Sequence, residues 1–172
     1  MFVMTEIIVV LDNVRSTHNV GSILRTADGL GVTKVVLTGY TPYPKVANDE
    51  RLPHEILKQT NAIKKTALGA ELTMNIERYE NIHDAIAMLK KINYPIISLE
   101  QNNDSIPIDQ LEIPDKLALI VGNELDGVSV DVLDKSDSIV EIPMEGKKES
   151  FNVSVAAGIA VYALTSRNKL NA

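Results

Sequence analysis

Short apolar runs alternate along the chain with longer stretches in which apolar residues recur every three or four positions. The runs are rich in β-branched residues and predict six buried strands, at 6–11, 34–38, 72–79, 95–99, 116–121 and 138–142. The periodic stretches predict helices at 19–30, 51–58, 61–68, 82–92 and 130–135, a last helix opening near 150–152, and a loop over most of 102–114. Strands interleaved with helices in this order predict an α/β protein with an open, mostly parallel six-stranded sheet and helices on both faces.

The last predicted helix is unusually rich in small side chains. Ser154, Ala157, Gly158 and Val161 recur at i, i+3, i+4 and i+7, so they lie on one helix face. Because a glycine inside a helix costs about 1 kcal/mol relative to alanine, Gly158 predicts a close contact with another part of a protein. That contact is with a neighbouring helix, with a second subunit or with the chain itself.

Length and composition are those of an ordinary globular protein. The 172 residues are 45% hydrophobic and 23% charged, and we expect a single domain over residues 1–172. The absence of cysteine excludes disulfides and thiolate metal sites, and the three histidines have no metal-binding spacing. The N-terminus lacks the basic segment of a signal peptide, and no apolar run approaches the roughly 18 residues of a membrane span. We therefore expect a cytoplasmic protein with neither a metal nor a membrane partner.

The net charge of −6 argues against non-specific binding to nucleic acid, which requires clustered lysines and arginines. The middle of the chain differs from this average, because its cations outnumber the three acids of segment 45–65. These cations are Lys45, Arg51, Lys58, Lys64 and Lys65. Such a run is more often a solvated surface, and an RNA substrate remains open if the cations converge on one face.

Polar residues that core packing does not require follow two of the predicted strands. At the first junction Asn19 and Gly21 open a helix, whose N–H groups suit an anion, and Arg25 adds a cation. A surface salt bridge would explain Arg25 equally well. At the second junction Gly122 follows a strand directly, so that a ligand can approach the backbone. Glu124 there pairs with Arg25, holds a ribose hydroxyl or stabilises a helix start, and these alternatives stay open.

The third junction precedes the last helix. Ser150 is a natural N-cap for that helix, and Asn152 offers both a donor and an acceptor. All three junctions follow the carboxyl ends of strands, where α/β sheets bind ligands, and they predict a cleft for a nucleotide-like molecule. The chain has no GxxxxGK[ST] loop, no GxGxxG and no GxSxG elbow, which argues against P-loop NTPases, standard dinucleotide enzymes and acyl transfer.

Taken together, three segments resemble one known family. They read N-x-G-x-I-x-R-T-A at 19–27, G-N-E-x-x-G-V-S at 122–129, and I-P-M-x-G-x-x-x-S-x-N-V-S-V-A at 142–156. In this order, each after a predicted strand, they resemble the SpoU (TrmH) family of SPOUT RNA 2'-O-ribose methyltransferases. The resemblance implies a deep C-terminal trefoil knot over about 117–168 and a homodimer packed through it. It also implies a tRNA or rRNA substrate, and the chain lacks the separate RNA-binding domain of some members.

The resemblance further implies S-adenosylmethionine as the methyl donor, bound by the knot loops. The implied cofactor-binding residues are Leu99, Glu100, Gly122, Glu124, Ile142, Pro143, Met144, Ser150, Phe151 and Asn152, with Phe151 where the family usually has leucine. The implied catalytic residues are Arg25, Asn19, Glu124, Ser150 and Asn152, among which Arg25 activates the ribose hydroxyl. Because a guanidinium is almost never neutral in a protein, either Arg25 with special help or a substrate phosphate accepts the proton.

Two other functions compete with methyl transfer. The first is a non-catalytic RNA-binding or assembly module on the same fold, which the weak basic character of the middle segment suggests. The second is a metabolic α/β enzyme that acts on a free nucleotide. The first predicts that no methyl donor binds, and the second predicts turnover without RNA.

Overall fold

A computed structural model describes the backbone of residues 5–170 and the side chains of residues 5–166. Residues 1–4, on which the signal-peptide interpretation partly rests, therefore lie outside the described residues. The side chains of 167–168, which belong to the predicted knot, lie outside them as well. The strands are β1 Glu6–Asp12, β2 Lys34–Thr38, β3 Ile76–Tyr79, β4 Ile96–Leu99, β5 Ile106–Pro107, β6 Lys116–Val121 and β7 Ser138–Glu141. The helices are α1 Thr17–Gly29, α2 Pro53–Ala67, α3 Ala70–Thr73, α4 Ile82–Lys91, α5 Val130–Leu133 and α6 Val153–Leu170, with a 3-10 turn at Ile108–Gln110.

The strands form one sheet in the order β3-β2-β1-β6-β4-β7-β5. Every strand pair described is parallel, as the alternation of strands and helices predicts. The prediction of six strands was wrong, because β5 adds a seventh inside the segment expected to be loop. This two-residue strand contains Pro107, which has no N–H to donate, and it pairs only with β7 at the edge of the sheet.

Alternate residues of the central strands feed two hydrophobic layers. In β1, Ile7, Val9 and Leu11 pack on one face, and Ile8 and Val10 pack on the other. The first face is covered by α1, α2, α3 and α6, and the second by α4 and α5. Helices thus lie on both faces, which confirms the predicted α/β class. The C-terminal trefoil knot stays a prediction.

Two local predictions were wrong in the segment 51–79. The two short helical turns expected at 51–58 and 61–68 are one helix, α2, because Gln59 and Thr60 between them do not break a helix that Pro53 starts. The strand expected at 72–79 begins only at Ile76. Residues 70–73 form α3 instead, after a left-handed turn at 68–69, and Leu72 is 79% exposed.

Close contacts hold α1 against its neighbours. A Cβ placed on Gly21 would overlap the Thr66 hydroxyl and the Ile63 carbonyl of α2, so only glycine permits this approach. On α6, a Cβ placed on Gly158 would lie 3.4 Å from Thr26 Cγ2. The partner of the small-residue face is therefore α1 of the same chain. Of the helices in the described part of the chain, none combines the length and apolar character needed to cross a bilayer.

Candidate active site

A cleft opens at the carboxyl ends of three neighbouring strands. The register aligns Leu99 of β4 with Val121 of β6 and Val140 of β7, so that the residues after each strand meet at one edge of the sheet. The cleft has a volume of about 220 Å³. Seven of the predicted cofactor-binding residues line it, namely Leu99, Glu100, Gly122, Glu124, Ile142, Ser150 and Phe151. Three others, Pro143, Met144 and Asn152, do not.

The lining of the cleft is acidic and apolar. Four carboxylates line it, from Glu100, Glu124, Asp126 and Glu141, and no lysine or arginine does. Apolar walls come from Leu99, Val121, Ile142, Phe151, Val153 and Ala156. Carboxylates attract a cationic group and repel phosphate, whereas the apolar walls suit a flat ring system. The arrangement therefore favours a ligand that combines an aromatic ring with positive charge.

The loop after β6 is shaped by Asn123. Its side-chain oxygen accepts hydrogen bonds from the backbone N–H groups of Leu125 and Asp126, at 2.7 and 3.0 Å. Its amide nitrogen donates to the Asn13 carbonyl at 2.9 Å and to the Tyr40 hydroxyl at 2.7 Å. Asn123 is buried, so these four bonds satisfy a side chain that water does not reach. Sequence reasoning missed this positioning residue, although it stands between the two predicted site residues of the G-N-E segment.

Glycine at 122 is required by the same loop. The backbone of Asn123 pairs with that of Gly127, which has a left-handed φ of 69°. A Cβ on Gly122 would overlap the Gly127 carbonyl and lie 2.6 Å from Val128 N. On the other side of the turn, the Glu100 carboxylate accepts the Val128 N–H at 2.7 Å. The chain itself therefore fills the space that Gly122 leaves open.

Glu124 is bound to the beginning of α1. Its carboxylate accepts the N–H of Arg15 at 2.9 Å, the N–H of Ser16 at 3.1 Å and the side-chain amide of Asn19 at 2.9 Å. Burial alone would raise the pKa of Glu124, but these hydrogen bonds together outweigh it and hold the pKa below its ordinary value. The structure has Glu124 stabilise the start of α1, and Glu124 forms no ion pair with Arg25 among the described residues. Its role toward a ribose hydroxyl stays a prediction.

A chain of side-chain hydrogen bonds joins the three sequence segments. Asn152 donates to Asn19 Oδ1 at 3.3 Å, and Asn19 in turn donates to Glu124. Asn152 also accepts from the N–H of Ser154 at 2.9 Å, so it caps α6. The prediction that Ser150 is the N-cap was wrong, because α6 begins three residues later, at Val153. Ser150 is exposed at the rim of the cleft instead.

Arg25 does not lie in this cleft. It stands six residues after Asn19 on α1, which is about 9 Å further along the helix axis and on a different side of the helix. Its side chain is exposed and makes no hydrogen bond or ion pair with any described residue. It lines a separate surface depression between α1 and α2. A single chain thus brings together Asn19, Glu124 and Asn152, and keeps Arg25 apart from them.

Comparison with known proteins assigns these segments to a family. The family described as SpoU rRNA Methylase matches residues 6–162. The chain belongs to this family. The SpoU resemblance inferred from the three segments is therefore confirmed.

Individual SpoU relatives agree with the fold. A tRNA (guanosine(18)-2'-O)-methyltransferase of Borreliella burgdorferi is 32% identical over 158 residues, which make up 92% of this chain and 65% of that protein. The TrmH/SpoU tRNA modifying enzyme of A. aeolicus has a TM-score of 0.77 at 25% identity, over 99% of this chain and 80% of that one. An AdoMet-bound rRNA methyltransferase from Sinorhizobium meliloti has a TM-score of 0.77 at 24% identity, over 95% and 57% of the two chains. The chain spans 56% to 65% of the length of the curated relatives it matches.

Metal ligands do not cluster in this SpoU chain. Within the described residues, no group of three or more histidine, aspartate or glutamate side chains is placed to hold a metal ion. The cleft carboxylates are instead directed at backbone groups, as Glu100 and Glu124 illustrate.

Proposed function

We propose that this protein transfers a methyl group from S-adenosylmethionine to a ribose 2'-hydroxyl in structured tRNA or rRNA. The observation that carries the proposal is the hydrogen-bonded chain Asn152–Asn19–Glu124, which joins all three SpoU segments at the rim of one cleft. The Borreliella relative, which shares 32% identity, is named for the same reaction. In this function the protein acts as a single domain, takes its methyl group from S-adenosylmethionine, methylates RNA and forms a homodimer.

The cleft suits S-adenosylmethionine. That molecule carries a sulfonium, an amino group and one carboxylate, and so a net positive charge, beside an adenine ring. The lining offers apolar walls and four carboxylates, of which Glu100 and Glu124 also accept backbone N–H groups. Leu99, Ile142 and Phe151 would pack on the ring, and the backbone at Gly122 would lie next to the donor. When bound, the donor supplies an electrophilic methyl group, which is the chemistry the side chains of this protein lack.

The tasks left to the protein are to orient the ribose and to handle its proton. The site is held rigidly for this purpose, since Glu124 and Asn123 tie the loop after β6 to α1 and to Asn13. A guanidinium is almost never neutral in a protein, so we do not assign the removal of the proton to Arg25. Because Arg25 lies outside the cleft of its own chain, the RNA would run from the depression that Arg25 lines to a donor cleft, in the same copy or in a second one. Arg25 would hold the phosphate next to the target ribose and stabilise negative charge developing on the 2' oxygen, while a phosphate oxygen takes the proton.

Two measurements test the proposal. Calorimetry should detect binding of S-adenosylmethionine to the full chain, and incubation with labelled donor and total tRNA or rRNA should yield 2'-O-methylnucleosides. Arg25→Ala should lower turnover by about 100-fold or more with donor affinity nearly unchanged, and Arg25→Lys should recover part of the turnover. Methylated bases in place of methylated riboses would overturn the proposed reaction, and full activity of Arg25→Ala would remove its assigned role.

The acidic cleft bears on both competing functions. A free nucleotide would place its phosphates among Glu100, Glu124, Asp126 and Glu141, with no lysine or arginine in the lining to balance them. That repulsion argues against the nucleotide enzyme. A purely RNA-binding module has no use for a cleft that repels phosphate, and failure to bind the donor in calorimetry is the result that would favour it.

The homodimer is part of the same proposal. The small-residue face of α6 packs on α1, so the surface left for a second copy is a different one. Val155, Ile159 and Tyr162 recur at i, i+4 and i+7 and are 49%, 37% and 62% exposed. These three residues form an apolar stripe on α6, and a second copy packed there would bury it.

A further inference from the structure

A basic depression lies between α1 and α2, away from the acidic cleft. Its volume is about 470 Å³, and its lining residues are Ser22, Arg25, Thr26, Lys65, Thr66 and Leu68. Two cations and three hydroxyls therefore face one another, with no carboxylate in the lining. We propose that this depression binds a backbone phosphate of the RNA substrate, with Lys65 as its second cation. This inference rests on the proposed function and names the contact between that RNA and the protein.

Both cations are available for a ligand. Neither Arg25 nor Lys65 forms an ion pair, and neither side chain donates a hydrogen bond to any described residue. Asp28 is the acid nearest to Arg25 along α1, but it accepts a hydrogen bond from the Thr73 hydroxyl at 3.3 Å. An arginine and a lysine left without partners on one surface attract an anion.

The surroundings of the two cations are rigid. Gly21 brings α1 and α2 into direct backbone contact just below the depression. The Thr66 hydroxyl spans the same gap and donates to the His18 carbonyl at 2.9 Å. The distance between the two helices is thereby fixed, so Arg25 on one helix and Lys65 on the other extend from a firm base. Binding therefore has to order only the two side chains, and not the helices that carry them.

The shape favours a nucleic-acid phosphate over a free ion. Leu68 forms an apolar edge, 64% exposed, beside the cations and hydroxyls. A sugar attached to the phosphate would cover this edge, whereas inorganic phosphate would leave it in water. The basic run of segment 45–65 thus converges only in part. Lys65 lines the depression with Arg25, the Arg51 side chain donates to Asp49 and Gln59, and Lys64 does not line the depression.

The test compares lysines that are neighbours on one helix. Lys65→Ala and Lys64→Ala remove the same charge from α2, but only Lys65 lines the depression. Binding of labelled bulk tRNA, and separately of total rRNA, is measured for the full chain between 50 and 200 mM salt. At the middle of that range, Lys65→Ala should bind up to about fivefold more weakly. The slope of log affinity against log salt should fall in magnitude by about 1. Lys65→Arg should restore both values, and Lys64→Ala should match the wild type.

The outcomes separate this inference from the proposed function. If the wild type methylates RNA and Lys65→Ala keeps its salt slope, the phosphate site is refuted and the enzyme stands. An equal loss of RNA affinity in Lys64→Ala would also refute the phosphate site, because the RNA would then respond to the overall charge of α2 and not to the depression. If no donor binds but RNA binding depends on Lys65, the phosphate site is supported and methyl transfer fails. If the wild type binds S-adenosylmethionine but binds neither tRNA nor rRNA, the phosphate site is refuted.

Discussion

Replacing Glu124 by glutamine is expected to weaken the connection between the loop after β6 and the start of α1. The carboxylate accepts three hydrogen bonds, from Arg15, Ser16 and Asn19. Glutamine retains one acceptor oxygen and turns an NH₂ group toward a donor. Hydrogen bonds to a charged group contribute about 1.5–3 kcal/mol each against about 1 for neutral ones, and partial exposure reduces the difference. We expect the free energy of unfolding to fall by about 2 kcal/mol, which lowers Tm by roughly 4–8 °C.

The pH dependence of this effect has a definite sign. Because the pKa of Glu124 is lower in the folded protein than its ordinary value of 4.5, the carboxylate stabilises the fold above that value. Its contribution is lost as the pH falls through the folded pKa. Thermal unfolding of wild type and Glu124→Gln should therefore differ at pH 7, and the difference should shrink as the pH falls below 4.5. Asp126→Asn is the control, since this exposed neighbour uses no side-chain hydrogen bond. Equal Tm values at pH 7, or a difference that does not shrink as the pH falls below 4.5, would refute the reasoning.

Two further substitutions test the cleft and the assembly. Gly122→Ala introduces a Cβ that overlaps the Gly127 carbonyl, so calorimetry should show at least about tenfold weaker binding of S-adenosylmethionine. The control is Gly146→Ala, which should bind normally because its added Cβ would have no neighbouring atom within 4 Å. Unchanged affinity in Gly122→Ala would contradict this account of the cleft. Tyr162→Asp should convert a dimer to a monomer in light scattering, whereas Leu72→Asp, on α3 and more exposed than Tyr162, should not. A monomeric wild type would exclude the homodimer.

Periodicity in the sequence predicts most of the fold. The ends of β2 and β6 agree with the predicted 34–38 and 116–121, because both strands are short, apolar and bounded by polar residues. The prediction of strands failed where a strand is very short or pairs with residues far away in the sequence. β5 has only two residues, and it forms through pairing with β7, more than thirty residues away. No local pattern in residues 102–114 carries that information.

Residue types in the sequence predict which residues belong to the site, but long-range contacts determine how those residues are arranged. The contacts of Glu124 with Asn19 and of Asn19 with Asn152 span 105 and 133 residues of sequence. The sequence left three roles open for Glu124, because each is compatible with a carboxylate after a strand. Only the folded chain, which places the N–H groups of Arg15 and Ser16 opposite that carboxylate, shows that Glu124 stabilises the start of α1.

The geometry of α1 shows how an acidic protein could act on the RNA proposed as its substrate. Its first turn, through Asn19, faces the cleft whose carboxylates suit a cationic donor. Arg25, about 9 Å further along the axis, belongs to the basic depression with Lys65. The net charge of −6 thus averages over two surfaces of opposite sign that one rigid helix keeps apart. Because phosphate is attracted to one and repelled by the other, RNA should bind along the depression and present only its uncharged ribose to a donor cleft, in the same copy or in a second one.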